Sequence, residues 1–419
     1  MSRRTLTDWL RWQESLHPSS IDLGLQRVEA VVGRLGLRPP PGQVLTVAGT
    51  NGKGSTLRFV ESLLDCLGRR AGVYTSPHLI RYNERIRIDG REVGDAELVA
   101  AFEAVEQARR SDALTYFEFG TLAAFWLFSE ARLDAWLLEI GLGGRLDAVN
   151  VVDADVALIT TVALDHQQWL GDGLEQIAAE KAGIMRAGRP VFYGDAPVPV
   201  SIVQMAGKLD APLNRYGYEF DFERQERTWN CHAPGRVFTG LPLPPPGDDV
   251  QLRNASLAIA GANSLEPEIP DAIVREAIVR TRLPAGRFQV VNRSRQWVLD
   301  VAHNPQAAAL LSRRLHELET VATAVVIGMM ADKDVAGFIR ALNLDAQAWI
   351  CCSLQDQRAL PAPALMAQLK TLVDARVTVA GDVAAALEQA DGVIPEGGRV
   401  LVCGSFHVVG PALDWLGLY

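Results

Sequence analysis

The run Val44-Leu45-Thr46-Val47-Ala48-Gly49-Thr50-Asn51-Gly52-Lys53-Gly54-Ser55-Thr56 gathers the residue types that hold a phosphate. A short apolar, β-like run turns through three glycines, carries one lysine and enters a helix-like segment from Leu57 to Leu67. Glycines let backbone N–H groups close on an anion, and a helix N-terminus adds the positive end of its dipole. Lys53 can reach terminal phosphates, and the hydroxyl of Ser55 or Thr56 can ligate Mg²⁺. The spacing is not the standard one of Gly, four residues, then Gly-Lys-Ser/Thr: Gly54 separates Lys53 from Ser55, and the early glycine is displaced to Gly49. The competing reading is a Gly-rich turn with a solvated lysine. The strand and helix contexts on either side favour the phosphate cradle.

Other polar residues fall where apolar runs end: Ser76 in Ser76-Pro77-His78, Glu139 before Ile140-Gly141-Leu142-Gly143-Gly144, and His166 after Leu164-Asp165. In open α/β sheets ligands collect at the carboxyl ends of strands, so these residues can converge on the phosphate loop. A hydroxyl, a carboxylate and an imidazole, completed by phosphate oxygens, make a workable Mg²⁺ set. Histidine is an unusual Mg²⁺ ligand, and His166 reads equally well as the cap of a strand end. For Glu139 a salt-bridged carboxylate is the plainer alternative, but a charge closing an apolar strand beside a Gly-rich turn favours function. Lys181, in Ala178-Ala179-Glu180-Lys181-Ala182-Gly183-Ile184, reads by spacing alone as a surface lysine paired along its helix. Three further runs end in polar residues: Asp300-Val301-Ala302-His303-Asn304-Pro305, Gly328 to Asp334, and Gly404-Ser405-Phe406-His407. Together they suggest a binding rim; any one alone is equally ordinary turn chemistry.

The elements that must position these residues alternate. Residues Thr5 to Leu35 show helical spacing of Leu6, Trp9, Leu10, Leu16, Leu25, Val28 and Val32, with Ser19, Ser20 and Asp22 as candidate caps of a second helix. Pro39-Pro40-Pro41-Gly42 breaks the chain before the loop. Strands are expected at Ala71 to Thr75, Asp134 to Ile140, Val156 to Val162 and Pro190 to Tyr193. Helices are expected at Glu97 to Arg109, Glu118 to Ala131 and Leu174 to Met185. This rhythm predicts a largely parallel sheet covered by helices. Tyr216 to Phe238 is polar and irregular, and Leu241 to Asp249 reads as a Pro-rich loop. Helices follow at Asn254 to Asn263 and Ile269 to Arg280, then a joint at Leu283-Pro284-Ala285-Gly286-Arg287. A second series places strands at Trp297 to Val301, Thr323 to Ile327, Ala348 to Cys352, Val377 to Ala380 and Arg399 to Cys403.

At 419 residues the chain is too long for one comfortable core, which favours two domains. A net charge of −9 argues against nucleic acid as a general partner, since phosphate neutralisation needs a basic face. It leaves room for a small anionic ligand in a local positive pocket. The five cysteines form no Cys-x-x-Cys pair and are odd in number, which suits a reducing, cytoplasmic compartment; Cys231-His232 is isolated and reads as filler. No apolar segment follows Met1-Ser2-Arg3-Arg4 as in a signal peptide, and the longest apolar runs are too short to span a bilayer, so no membrane association is expected.

Gly49 through Ser55, Ser76-Pro77-His78, Glu139 through Asn150, Leu164-Asp165-His166 and Asp300 through Pro305 together resemble the Mur ligase superfamily. Within it they are most similar to the folylpolyglutamate synthase/dihydrofolate synthase family, in order and over nearly the whole chain. The resemblance also accounts for the phosphate-loop spacing, which is the family's own. It implies an α/β chain: an N-terminal P-loop-type ATPase domain with a mostly parallel sheet, binding ATP and pterin, over residues 1–285. A smaller C-terminal Rossmann-like α/β domain for glutamate ligation would span residues 286–419.

By this resemblance Gly52, Lys53, Gly54 and Ser55 bind ATP phosphates, with Asn254, Arg287, Asp300 and His303 as further nucleotide contacts. Ser76, Glu139 and His166 would hold Mg²⁺. Lys181 stands where the family carries a carbamylated lysine, an anion able to ligate a second Mg²⁺, which reverses the surface reading. Lys53, Lys181 and His166 are thus the implied catalytic group. Asp22-Leu23-Gly24-Leu25 and Thr115-Tyr116-Phe117-Glu118 resemble pterin-binding stretches, bordered by Gly144-Arg145-Leu146-Asp147; aromatic and apolar surface with a few polar groups suits a flat pterin ring. Asp22 and Glu118 also read as helix caps. The chain departs from the family at Ala285-Gly286-Arg287, where Pro-Gly-Arg is common, and at Val250-Gln251, where His-Gln is common.

The implied activity is ATP-dependent joining of L-glutamate to dihydropteroate and further glutamates to reduced folates, by a monomer, through an acyl phosphate. A monofunctional folylpolyglutamate synthase is the near alternative. A cell-wall amino-acid ligase is a more distant one, and a nucleotide-dependent binding protein without ligase activity belongs to a different class.

Overall fold

The computed structural model describes residues 4–17, 19, 21–38 and 40–419. Met1 to Arg3, Ser20 as a helix cap and Pro39 in the chain break lie outside the described residues. The chain divides into two compact units. One comprises residues 1–78, 82–162 and 172–283; the other comprises 79–81, 163–171 and 284–419.

The first unit holds β1 (Gln43–Ala48), β2 (Ala71–Tyr74), β3 (Ile86–Ile88), β4 (Arg91–Glu92), β5 (Ala135–Glu139), β6 (Val156–Ile159), β7 (Val191–Tyr193) and β8 (Leu213–Arg215). They form one sheet in the order β4-β3-β2-β5-β1-β6-β7-β8. All neighbours from β2 to β8 are parallel, and β3 and β4 turn back antiparallel at one edge. Side chains alternate across the sheet as strand geometry requires. Val44, Ala48, Trp136 and Leu138 enter one core layer with Trp9, Phe102 and Phe119. Leu45, Val47, Ala135 and Leu137 enter the opposite layer with Phe59, Leu63 and Leu257. With both faces covered, the central strands read as continuous apolar runs.

The segment read as irregular is a second sheet. β9 (Asp221–Arg224), β10 (Thr228–Ala233) and β11 (Arg236–Pro242) pair antiparallel in the order β11-β10-β9. The helix Asp249–Leu265 starts five residues before the sequence expectation, capped by the Asp248 side chain.

The second unit holds β12 (Gln289–Asn292), β13 (Gln296–Leu299), β14 (Thr323–Ile327), β15 (Ala348–Cys352), β16 (Arg376–Ala380) and β17 (Arg399–Cys403). Their order is β12-β13-β17-β14-β15-β16, parallel except at the β12–β13 edge. The α/β class, the mostly parallel first sheet and the separate C-terminal sheet are as expected. Among the described residues no helix is long and apolar enough to cross a membrane.

Candidate active site

β1 lies between β5 and β6, while the chain leaves it toward β2 on the β5 side. Strand order therefore reverses at β1, the position where open α/β sheets bind ligands. The loop at its end is tightly built. Gly49 has φ +150°, and a Cβ there would fall 1.8 Å from Thr160 Oγ1. Gly52 has φ +91°, and a Cβ there would fall 2.8 Å from Asn254 Oδ1. Both positions thus require glycine. The Thr50 and Asn51 amides donate to the Thr161 carbonyl at 2.9 Å and to Thr161 Oγ1 at 3.0 Å. Thr160 Oγ1 donates to the Asn51 carbonyl at 2.7 Å. The pair Thr160-Thr161, closing the apolar run of β6, was a legible sequence signal that the motif reading passed over.

The helix following the loop is Lys53–Cys66, so Lys53, Gly54, Ser55 and Thr56 form its first turn. First-turn amides lack intrahelical partners and suit an anion. Lys53 Nζ folds back onto the Gly49 carbonyl at 2.9 Å and the Thr50 carbonyl at 3.4 Å. Thr56 is 0 % and Ser55 4 % exposed, so only Ser55 retains any contact with solvent. Asn254, 5 % exposed, donates to Gln251 Oε1 at 3.3 Å behind Gly52.

Glu139 ends β5, which pairs with β1, and Ser76 follows β2, the next strand beyond β5. The Ser76 amide donates to Glu139 Oε2 at 3.2 Å, and Glu139 is 5 % exposed. A buried carboxylate beside a hydroxyl offers hard oxygen donors of the kind Mg²⁺ and Mn²⁺ take. Among the described residues no three His, Cys, Asp or Glu side chains gather as a metal site. Glu139 and Ser76 would offer a carboxylate and a hydroxyl oxygen to a divalent ion here, with phosphate and water oxygens free to complete its shell.

Lys181 is 3 % exposed on the helix Leu174–Ala182, so its reading as a surface lysine is corrected. Its helix packs against the turn after Glu139. A Cβ on Gly144 would lie 2.7 Å from the Glu180 carbonyl oxygen and 3.1 Å from Lys181 Cα. The Arg145 amide donates to the Glu180 carbonyl at 2.8 Å, and the exposed Arg145 guanidinium pairs with Glu180 Oε1 at 2.8 Å. Leu146 is half-buried beside it. Asp147 accepts the Leu142 and Val149 amides at 2.8 and 3.0 Å. Burial pushes its carboxyl up to about 7 against these bonds and the charge of Lys53.

The two stretches assigned to a pterin meet. Arg27 Nη1 reaches Asp22 Oδ2 at 2.7 Å and its Nη2 reaches Glu118 Oε1 at 3.0 Å. Glu118 is also the third residue of a capping box with Thr115 at the start of the helix Tyr116–Ala131. Asp22 caps nothing: the helix Gln26–Leu35 begins at Leu25 without a side-chain cap, which corrects the expectation for Ser19 and Asp22. Leu23 and Gly24 lie in the half-buried connection before it. A Cβ on Gly141 would lie 2.5 Å from the Phe117 ring, which sets this region against the turn after Glu139. Burial pushes the Tyr116 hydroxyl up to about 12.

His166 does not sit at a strand end of the first sheet. β6 stops at Ile159, and residues 163–171 belong to the second unit. There His166 Nδ1 is 3.4 Å from Asp332 and its Nε2 3.4 Å from Lys333 Nζ. Burial draws its imidazole below the usual range, against Asp332 and Asp165. Asp165 accepts from Lys333 Nζ at 2.6 Å and Asn304 Nδ2 at 3.1 Å, with His303 Nε2 at 3.4 Å. Asp300 accepts the Phe288 and Ala302 amides, each at 2.8 Å, and the Arg287 guanidinium lies 5.0 Å from the Phe406 ring centroid.

Fold and loop define the Mur ligase class, and residues 286–406 match the family described as Mur ligase, glutamate ligase domain. Over 412 residues the chain is 43% identical to the dihydrofolate synthase/folylpolyglutamate synthase of Escherichia coli K12, covering 98% of this chain and 95% of that protein. It superposes with a TM-score of 0.92 on E. coli FolC in complex with DHPP and ADP, at 41% identity, covering 99% of this chain and 98% of that one. It superposes with a TM-score of 0.90 on a bifunctional folylpolyglutamate synthase/dihydrofolate synthase with Mn, AMPPNP and L-glutamate bound, at 42% identity, with 99% and 98% covered. The chain belongs to the dihydrofolate synthase/folylpolyglutamate synthase family.

Proposed function

We propose that this protein joins L-glutamate to dihydropteroate, and further glutamates to reduced folates, at the expense of ATP. The observation that carries the reading is the loop at the end of β1, with Lys53 folded over it and Ser76 and Glu139 on the adjoining strand ends, in a chain of this family. Its relatives of known structure hold DHPP with ADP, and Mn with AMPPNP and L-glutamate.

In this reading Gly52, Lys53, Gly54 and Ser55 cradle the ATP phosphates, with Asn254 behind the loop. Arg287, Asp300 and His303 are assigned as further nucleotide contacts. The acid substrate's carboxylate oxygen attacks the γ-phosphorus, the bond to the β-phosphate oxygen breaks, and ADP leaves. The glutamate amine then attacks the acyl carbon, loses a proton and expels phosphate. Lys53 exchanges its loop carbonyls for phosphate oxygens and neutralises their developing charge. A divalent cation, held by Ser76 and Glu139, supplies further charge neutralisation on the transferred group. His166 is assigned as a further metal ligand, and a carbamylated Lys181 as the ligand of a second ion. Asp22 to Leu25, Thr115 to Glu118, Arg145 and Leu146 bind the pterin acid. The ATP- and pterin-binding domain is assigned to residues 1–285 and the glutamate-ligase domain to 286–419.

The chain is further proposed to act as a monomer in the cytoplasm. Five free cysteines, four of them buried, suit a reducing compartment; sedimentation tests the oligomeric state. For the ligase itself, the test is ATP-dependent phosphate release with Mg²⁺ and L-glutamate, with dihydropteroate, with tetrahydrofolate and with neither. Release with each acid supports both activities. Release with tetrahydrofolate alone makes the protein a monofunctional folylpolyglutamate synthase, and no acid-dependent release removes folate from the account. Lys181→Ala is expected to abolish turnover without rescue by bicarbonate; full activity in that variant would end the carbamate assignment.

A further inference from the structure

Arg27 follows Leu25 by two residues and was read from sequence only as part of a helix. Its guanidinium joins two segments 91 residues apart. Nη1 donates to Asp22 Oδ2 at 2.7 Å, while Nη2 donates to the Asp22 carbonyl at 2.9 Å and to Glu118 Oε1 at 3.0 Å. The other oxygen of Glu118 accepts the Thr115 amide at 2.7 Å. One side chain thus ties the connection before the helix Gln26–Leu35 to the first turn of the helix Tyr116–Ala131. Leu25 makes no side-chain cap for the helix that follows, and the Asp22 side chain is 41% exposed. His17 Nε2 lies 3.4 Å from the same Asp22 oxygen. Glu118, with a side chain 4% exposed, has Arg27 as its ion-pair partner.

We propose that Arg27 is a positioning residue for the acid substrate, holding Asp22 to Leu25 against Thr115 to Glu118 so that the two stretches make one pocket. This rests on the ligase reading above and adds to it a residue that sets affinity for the pterin acid without touching the phosphate chemistry. The planar guanidinium suits the task because it donates along several directions at fixed angles; a lysine ammonium keeps the charge but lacks the fork. Loss of the tie frees the Asp22 connection, and misplacement of a binding segment by about 1 Å can cost roughly a hundredfold.

The test compares the unmodified protein with Arg27→Lys and Arg27→Met, measuring KM for dihydropteroate, KM for ATP, kcat and the thermal midpoint. Arg27→Met leaves Glu118 buried without its cation and is the variant at risk of unfolding. Arg27→Lys retains the charge and keeps the test decisive. For Arg27→Lys the expected result is a KM for dihydropteroate raised about tenfold or more, with KM for ATP and the midpoint near their original values. An unchanged KM for dihydropteroate in the folded variant overturns the role of Arg27 alone. Parallel rises in both KM values overturn it too, since a general loss of structure would then explain them. Absence of pterin-dependent phosphate release from the unmodified protein overturns the ligase reading and this inference together.

Discussion

Lys333 Nζ stands 2.6 Å from Asp165 Oδ1, and their side chains are 6% and 7% exposed. This buried ion pair fastens residues 163–171, which carry His166, to the loop after β14. Burial alone would raise the Asp165 carboxyl; the hydrogen bond from His303 and the charges of His166, His303 and Lys333 instead hold it far below the usual range. Removing either partner leaves the other with longer contacts, Lys333 with Asp332 at 3.5 Å and Asp165 with His303 at 3.4 Å, at a cost of up to about 3–5 kcal/mol. Asp165→Asn and Lys333→Met are each expected to lose stability on that scale in urea unfolding. The double variant should recover part of the loss, giving a coupling energy in a double-mutant cycle. Additive losses would show that the pair holds nothing.

The turn after Glu139 and the helix carrying Lys181 should respond as one body. Gly183 is closed on the same side as Gly144: a Cβ there would fall 2.4 Å from Arg145 Cβ. Asn150 Nδ2 donates to the Arg145 carbonyl at 3.1 Å and the Gly183 carbonyl at 3.0 Å, and its Oδ1 accepts Arg186 Nη2 at 3.0 Å. Asn150→Ala deletes these three part-buried bonds and is expected to cost about 1–3 kcal/mol. Gly144→Ala must push the turn away from the helix. Both variants should lose turnover out of proportion to ATP binding, measured by phosphate release beside nucleotide titration. Full turnover in Gly144→Ala would mean that the spacing between Glu139 and Lys181 is not used.

Much of this was legible because the central strands are buried on both faces and so appear as unbroken apolar runs ended by a polar residue. Lys53, Ser76 and Glu139 are such strand ends or loop residues. The small sheet was not recognised, although β10 carries its signal: Trp229, Cys231 and Ala233 are buried at alternate positions along the strand. The polar residues between them masked a period of two. The burial of Lys181 was invisible because helical spacing cannot tell a solvent face from one covered by a Gly-rich turn. Arg27 was missed for a different reason: both its partners are acids, one close in the chain and the other distant, and only the fold brings them to one guanidinium. His166 was misplaced because the strand before it stops early, at Ile159, and the connection passes to the other unit.

Asp147 makes stability depend on pH near neutrality. Burial raises its carboxyl to about 7, above the usual unfolded value of about 3.9. The native chain then binds this proton more tightly than the unfolded chain does. Its contribution is fully present below about pH 4, shrinks as pH rises toward 7, and is lost above. The thermal midpoint of the unmodified protein should therefore fall more between pH 5 and pH 8 than that of Asp147→Asn, which has no proton to lose. Equal slopes for the two proteins would place the titration elsewhere.

Lys53 gives the sharpest test of the loop. Its ammonium spends its hydrogen bonds on the Gly49 and Thr50 carbonyls, at 2.9 and 3.4 Å. These bonds hold the side chain over the loop at little cost in exchange, because each is worth only about 1 kcal/mol net. Phosphate oxygens, carrying full charge, are stronger acceptors and should displace the carbonyls. Lys53→Met keeps the stem and removes the charge. The fold should survive with a midpoint close to the original, since the helix Lys53–Cys66 is held by Leu57, Phe59, Val60 and Leu63 in the core. Phosphate release should fall by at least about a hundredfold, the scale seen when one donor to a developing anion is deleted. Lys53→Arg should not restore it: the longer, planar head cannot take the place of a point charge within a loop closed by Thr160 and Asn254. Turnover retained by the folded Lys53→Met variant would remove the phosphate-cradle role from this loop.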